Sequence, residues 1–352
     1  MISLNAKSEY DLDLDRYIRV VDSIPHSRDY GKVTEVTGLI IKGYLPGANI
    51  GSICQITASS TDKTFRAEVV GFKDKSVLMM PLGESRGVGL GSKIVLERQS
   101  ATVRVSKELL GRVVDGLGVP IDSLGEIEDA REISLYSDIR NPLNRKPICE
   151  PLDLGVRAIN GVLTIGQGQR VGIMAGSGVG KSVLLGMMAR NTKADVNVIA
   201  LIGERGREVR EFIENDLGAE GMKRSVIVVV TSDQSPLLRM RGAYVATAIA
   251  EYFSSTGKNV LLMMDSITRF AMAQREIGLL AGEPPTTKGY TPSVFALLPK
   301  LLERAGNFKK GSITGIYTVL VEGNDFDDPI ADAVFPNLLS AVDWIIEDAT
   351  TK

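Results

Sequence analysis

Histidine, cysteine and tryptophan are almost missing from this chain of 352 residues, which has one His, two Cys and one Trp. Cys54 and Cys149 lie far apart and form no metal-spaced set, which excludes a zinc ribbon or a disulfide scaffold; both read as reduced thiols of a cytosolic protein. His26 sits among polar loop residues and reads as a solvated side chain. No apolar run approaches the ~18 residues of a helical membrane span. The start, Met1-Ile-Ser-Leu-Asn5, has neither the basic nor the long apolar part of a secretory signal. Neither sign of charge dominates: 41 Lys and Arg stand against 43 Asp and Glu, which argues against a dedicated nucleic-acid binder. Repeats and low-complexity tracts are also absent.

What is present divides the chain by texture. Residues 1–27 are polar, with acids at Glu9, Asp11, Asp13 and Asp15, and read as a partly ordered N-terminal arm. Residues 28–100 carry short β-rich runs at 32–41, 52–56, 65–70, 76–80 and 93–96, separated by Gly and Pro turns. Strands this short and this closely spaced predict a small β-barrel, and nothing in it looks catalytic. Residues 101–150 are rich in turn residues and proline and read as a linker. From 151 to 334, apolar runs at 171–174, 196–202, 225–230, 260–264 and 313–321 alternate with helical patterns. Near-continuous apolar strands predict an α/β core around a mostly parallel sheet covered on both faces. Residues 335–352 form a tail.

Within that core one stretch carries the chemistry: Ala175-Gly176-Ser177-Gly178-Val179-Gly180-Lys181-Ser182. It follows a strand pattern and leads into a helical one, the layout of a phosphate-binding loop for nucleoside triphosphates. Glycines let successive backbone N–H groups turn towards a polyanion, and the helix start adds unpaired N–H groups and a positive dipole end. Lys181 would reach the β/γ-phosphates and the Ser182 hydroxyl would ligate Mg²⁺. Ala175 stands where the usual motif has its first glycine. Either this position is at negative φ or it tolerates strain of ~1–2 kcal/mol.

Ligands of open α/β sheets bind at the carboxyl ends of the strands. Polar residues follow those ends here: Glu204 and Arg205 after the second strand, Asp265 after the fourth and Glu322 after the fifth. Asp265 is the candidate second Mg²⁺ ligand, and Glu204 the candidate to polarise an attacking water. Arg205 either contacts phosphate or holds Glu204. Sequence does not choose among Arg239, Arg241, Arg269 and Arg275.

These motifs, together with Leu109–Asp122, Gly203–Phe212, Thr231–Arg239, Leu261–Arg275 and Gly289–Gly306, resemble the type III secretion and flagellar export ATPases. Those are relatives of the catalytic subunit of the rotary ATP synthase. The resemblance runs from about residue 30 to residue 334. It implies a RecA-like P-loop core behind an N-terminal barrel and a homohexamer with ATP and Mg²⁺ bound between subunits. It also implies ATP-driven unfolding and chaperone release of exported proteins at a membrane export gate, in a cytoplasmic protein peripheral to the inner membrane. The N-terminal arm would bind a regulatory protein, and no nucleic acid is expected. It assigns Lys181 to phosphate, Ser182 and Asp265 to Mg²⁺ and Glu204 to the attacking water, and makes Arg205 a phosphate neighbour. The flagellar subtype is favoured over the injectisome one.

After Val334 the sequence departs from the family pattern. The expected strand, the segment carrying a trans-acting arginine and the helical C-terminal region are not recognisable in 335–352, which reads as a truncated or divergent end that would impair turnover. Two alternatives follow: a nucleotide-binding ring subunit that does not hydrolyse, and an RNA-translocating hexameric ATPase.

Overall fold

The computed structural model describes residues 17–18, 30–58, 63–83, 85–137, 141–176, 178–321 and 328–334. Nearly all of the N-terminal arm, Ser177, Glu322 and the tail after Val334 lie outside them. Six antiparallel strands come first: β1 (Tyr30–Thr37), β2 (Ile40–Tyr44), β3 (Ile53–Thr57), β4 (Thr64–Lys73), β5 (Ser76–Pro81) and β6 (Lys93–Arg98). They close as a barrel in the order β1-β2-β5-β4-β3-β6, with β1 pairing back to β6. Closure leaves no unpaired strand edge. Val33, Ile41, Cys54, Ile56, Val69 and Met79 fill the interior, and burial pushes the Cys54 thiol up to about 12. The single β-run expected at 32–41 is in fact a hairpin: Gly38 turns the chain, and Thr37 pairs with Ile40.

Residues 101–150, read from sequence as a linker, carry three short strands. β7 (Thr102–Val105) pairs with β9 (Arg131–Ser134) as a two-stranded ribbon, while β8 (Val113–Val114) between them joins the core sheet in register with Ile227 and Val228. A buried ion pair joins barrel and core, and a second one inside the core holds the segment after β9. Arg241 donates to Glu68 of β4 at 2.7 Å and to the Thr102 carbonyl at 3.1 Å, and the Tyr136 hydroxyl donates to the other Glu68 oxygen at 2.6 Å. Arg304 grips Glu251 with two hydrogen bonds and also donates to the Leu135 carbonyl.

The core sheet runs β10 (Arg170–Ala175), β11 (Val196–Glu204), β12 (Ser225–Thr231), β13 (Asn259–Asp265), β14 (Gly306–Asn307) and β15 (Ser312–Leu320). Its spatial order is β10-β15-β13-β11-β12-β8, all parallel, with short β14 antiparallel on β15. All five strands expected of the core are present. α1 (Lys181–Asn191), α2 (Gly206–Glu211), a π-helical stretch over 212–217 and α3 (Gly218–Met222) precede β12. α4 (Pro236–Ser255), α5 (Ile267–Ala281), α6 (Pro292–Leu302) and α7 (Pro329–Val334) follow in chain order.

Strand residues alternate between two apolar layers. Ile199, Leu201, Ile227, Leu261 and Met263 pack with Leu185 and Met188 of α1. Val198, Ala200, Val228, Leu262 and Met264 pack beneath α4 and α5. This is the period-two pattern of a sheet buried on both faces. No helix of the described residues is long and apolar enough to cross a membrane.

Candidate nucleotide site

The phosphate loop leaves the sheet at the end of β10. Ala175 still pairs in the ladder, opposite Leu320, so its backbone is extended and the missing glycine costs no left-handed strain. The left-handed positions come later, at Gly178 (φ +81°) and Gly180 (φ +86°). A side chain at either would meet nothing within 4 Å, so glycine is needed there for its backbone conformation and not for space. Gly180 is the N-cap of α1, and the first amides of that helix have no intrahelical acceptor, which suits them to an anion.

Three strand ends converge on this helix start. Asp265 closes β13, and its Oδ1 lies 2.7 Å from the Nζ of Lys181. Thr318, from β15 between them, donates to the same carboxylate oxygen at 2.7 Å. Asp265 is buried and Lys181 nearly so, while Ser182 is exposed on the cleft. Glu204 closes β11 and is half-buried. Burial first, then the charge of Asp265 and a hydrogen bond to Glu208, push its carboxyl from 4.5 up to about 7, against the pull of Lys181. Arg205 is 78% exposed, 3.5 Å from Glu208, and forms the N-cap position of α2. A cleft of about 490 Å³ takes in Gly176, Gly178, Gly180, Lys181, Ser182, Glu204 and Arg205 together with Ser232 and Arg269. Asp265 is tied to that cleft through Lys181.

The four arginines left undecided by sequence now separate. Arg239 pairs with Glu276, Arg241 with Glu68, and Arg275 stacks on Tyr290. Only Arg269 of the four lines the cleft, and among the described residues its buried Nε has no hydrogen-bond partner. Gly203 makes room for it: a Cβ there would stand 3.0–3.1 Å from the Arg269 stem.

Among the described residues no group of three or more His, Cys, Asp or Glu side chains could cage a metal. Ser182 and Asp265 supply two oxygen donors. That suits Mg²⁺, which keeps several waters and completes its shell with phosphate oxygens.

Comparison with known proteins places the chain in a family. The model of the ATP synthase alpha/beta family, nucleotide-binding domain, matches residues 155–343, running past Val334 into the tail. The flagellum-specific ATP synthase of Bacillus subtilis is 56% identical over 306 residues, covering 87% of this chain and 70% of that protein. The assembled ATPase EscN of the enteropathogenic E. coli type III secretion system superposes with a TM-score of 0.80 at 48% identity, covering 86% of this chain and 73% of that one. EscN in complex with its central stalk EscO gives 0.76 at 49% identity, with 83% and 71% covered. A phosphate loop on a parallel sheet behind a closed barrel, a family model matching more than half the chain, and this level of identity lead to one conclusion: the chain belongs to the ATP synthase alpha/beta family.

Proposed function

We propose that this protein hydrolyses ATP with Mg²⁺ and that hydrolysis powers protein export of the flagellar or injectisome type. The observation that carries the reading is the convergence of Lys181, Asp265 and Glu204 on the start of α1. A binding-only site has no use for a water-positioning carboxylate such as Glu204, and the relatives are named as flagellar and type III secretion ATPases.

The chemistry follows from the side chains. The α1 amides and Lys181 hold the β- and γ-phosphates, so Lys181 exchanges Asp265 for phosphate oxygen when ATP enters. Ser182 and Asp265 would hold Mg²⁺, which would neutralise charge on the phosphates. Release from Lys181 leaves Asp265 free for that role. Glu204 accepts a hydrogen bond from the water that attacks the γ-phosphorus, and the bond to the β-phosphate oxygen breaks, leaving ADP and phosphate. Arg269 adds a positive charge on the same wall, and Arg205, at the cleft mouth, is a further phosphate neighbour.

The working form is a hexamer of this chain; the assembled state of EscN supports an oligomer. Its partners are a regulatory protein at the N-terminal arm, the export gate, chaperones and exported proteins, which it unfolds. It works in the cytoplasm against the inner membrane. The test is steady-state Mg-ATP hydrolysis against protein concentration, with Lys181→Ala as the blank. Specific activity that rises with concentration is expected. A flat rate at the blank's level, with ATP still bound, would leave the chain a nucleotide-binding subunit.

A further inference from the structure

We propose that the seam between barrel and core is a binding site for an amphipathic monocarboxylate, of the kind represented by a medium-chain fatty acid. A cavity of about 370 Å³ opens there, at the small end of the ~300–1,000 Å³ of ligand pockets. Val70 of β4 forms one wall; Met240 of α4, Ile277 of α5 and Leu297 of α6 form the other. Among the described residues it shares no lining residue with the nucleotide cleft.

The charges in its wall decide what fits. Glu68 and Arg304 lie deep, 2% and 4% exposed, and both are already satisfied. Glu68 accepts from Tyr136 and Arg241, and Arg304 donates to Glu251 and the Leu135 carbonyl. The interior therefore offers apolar surface and no unpaired charge. Lys300 lines the same cavity, is exposed, and has no hydrogen-bond or ion-pair partner among the described residues. Ile50, 69% exposed, is a second marker of the open side. Among the described residues this is an apolar slot with one free cation at its mouth, and such a slot selects a ligand with an apolar body and a single anionic head. A polyanion such as a nucleotide would bring charge that one lysine cannot answer. An amphipathic cation would meet Lys300 with like charge.

The seam site stands apart from the export reading, and its test uses no nucleotide. Octanoate is titrated calorimetrically into the full chain, alongside octyltrimethylammonium, which has the same tail and the opposite head. Saturable one-to-one octanoate binding is expected, with none for the ammonium compound. Lys300→Glu, on the surface, weakens octanoate about tenfold by turning attraction into repulsion. Val70→Phe, which fills the slot, abolishes binding. Absence of saturable octanoate binding overturns the proposal, and so does unchanged affinity in Lys300→Glu, whether or not Val70→Phe folds.

Discussion

Lys181 and Asp265 are 84 residues apart in sequence, and their side chains meet at 2.7 Å above the carboxyl end of the core sheet. The cation proposed for phosphate is thus held by the carboxylate proposed for Mg²⁺, and Thr318 steadies that carboxylate from the strand between. On the proposed assignment, nucleotide entry exchanges this one ionic contact for two.

Lys181→Ala is expected to lower ATP turnover by about 10²–10³-fold, the usual cost of removing one preorganised donor from a reacting charge. Asp265→Asn keeps a hydrogen-bonding partner for Thr318 but loses the charge, so the Mg²⁺ concentration for half-maximal rate rises. Steady-state rates against Mg²⁺ check both.

Glu204 gives a pH signature. Its carboxyl is raised from 4.5 to about 7 in the folded chain, chiefly by burial and then by Asp265. The folded chain therefore holds a proton that the unfolded chain has released across that window. The stability this proton gives is fully present below 4.5 and is lost as pH rises through about 7. Glu204→Gln stays neutral, so its melting temperature gains on the parent as pH increases from about 5 to about 8 without nucleotide. A gap that widens in the opposite direction would refute the assignment. In the parent, kcat/KM for ATP rises with pH through about 7 as the water-positioning carboxylate ionises.

Gly203 sits at φ +72° with the Arg269 stem against it. Gly203→Ala adds a strained backbone of ~1–2 kcal/mol and pushes Arg269 off the cleft wall. A lower melting temperature and a lower turnover are expected together. Arg269→Lys keeps the glycine and the charge; it should lose turnover with little change in melting.

The barrel–core seam depends on a pair that is 5% and 3% exposed, Arg241 and Glu68. Arg241→Met leaves Glu68 buried and uncompensated, a loss of about 3–5 kcal/mol. Adding Glu68→Leu removes the stranded charge and recovers much of that loss. Urea midpoints of the two variants measure it.

The phosphate loop and the five core strands were legible because a glycine-spaced turn and doubly buried strands leave strong local patterns. Ala175 was ambiguous in sequence, since only its place in the ladder opposite Leu320 shows the extended backbone. Arg269 could not be separated from its three neighbours, because the deciding facts are partners distant in sequence: Glu276 for Arg239, Glu68 for Arg241, Tyr290 for Arg275. The hairpin at Gly38 was hidden because both its arms are β-rich and one glycine marks the turn. Glu322, expected on the same edge, falls outside the described residues.

β8 lends two residues from the linker to the far edge of the core sheet, beside β12. A fragment begun at residue 151 would keep the phosphate loop and still lack its own border. The backbone of β12 would then offer unpaired amides and carbonyls to any other chain, and such an edge templates aggregation. Ile227 and Val228 wait for partners more than a hundred positions earlier in the sequence, so sealing that edge is a long-range closure during folding, and long-range closures come slowly. The nascent core would pass through a sticky interval that ends only when the linker folds back.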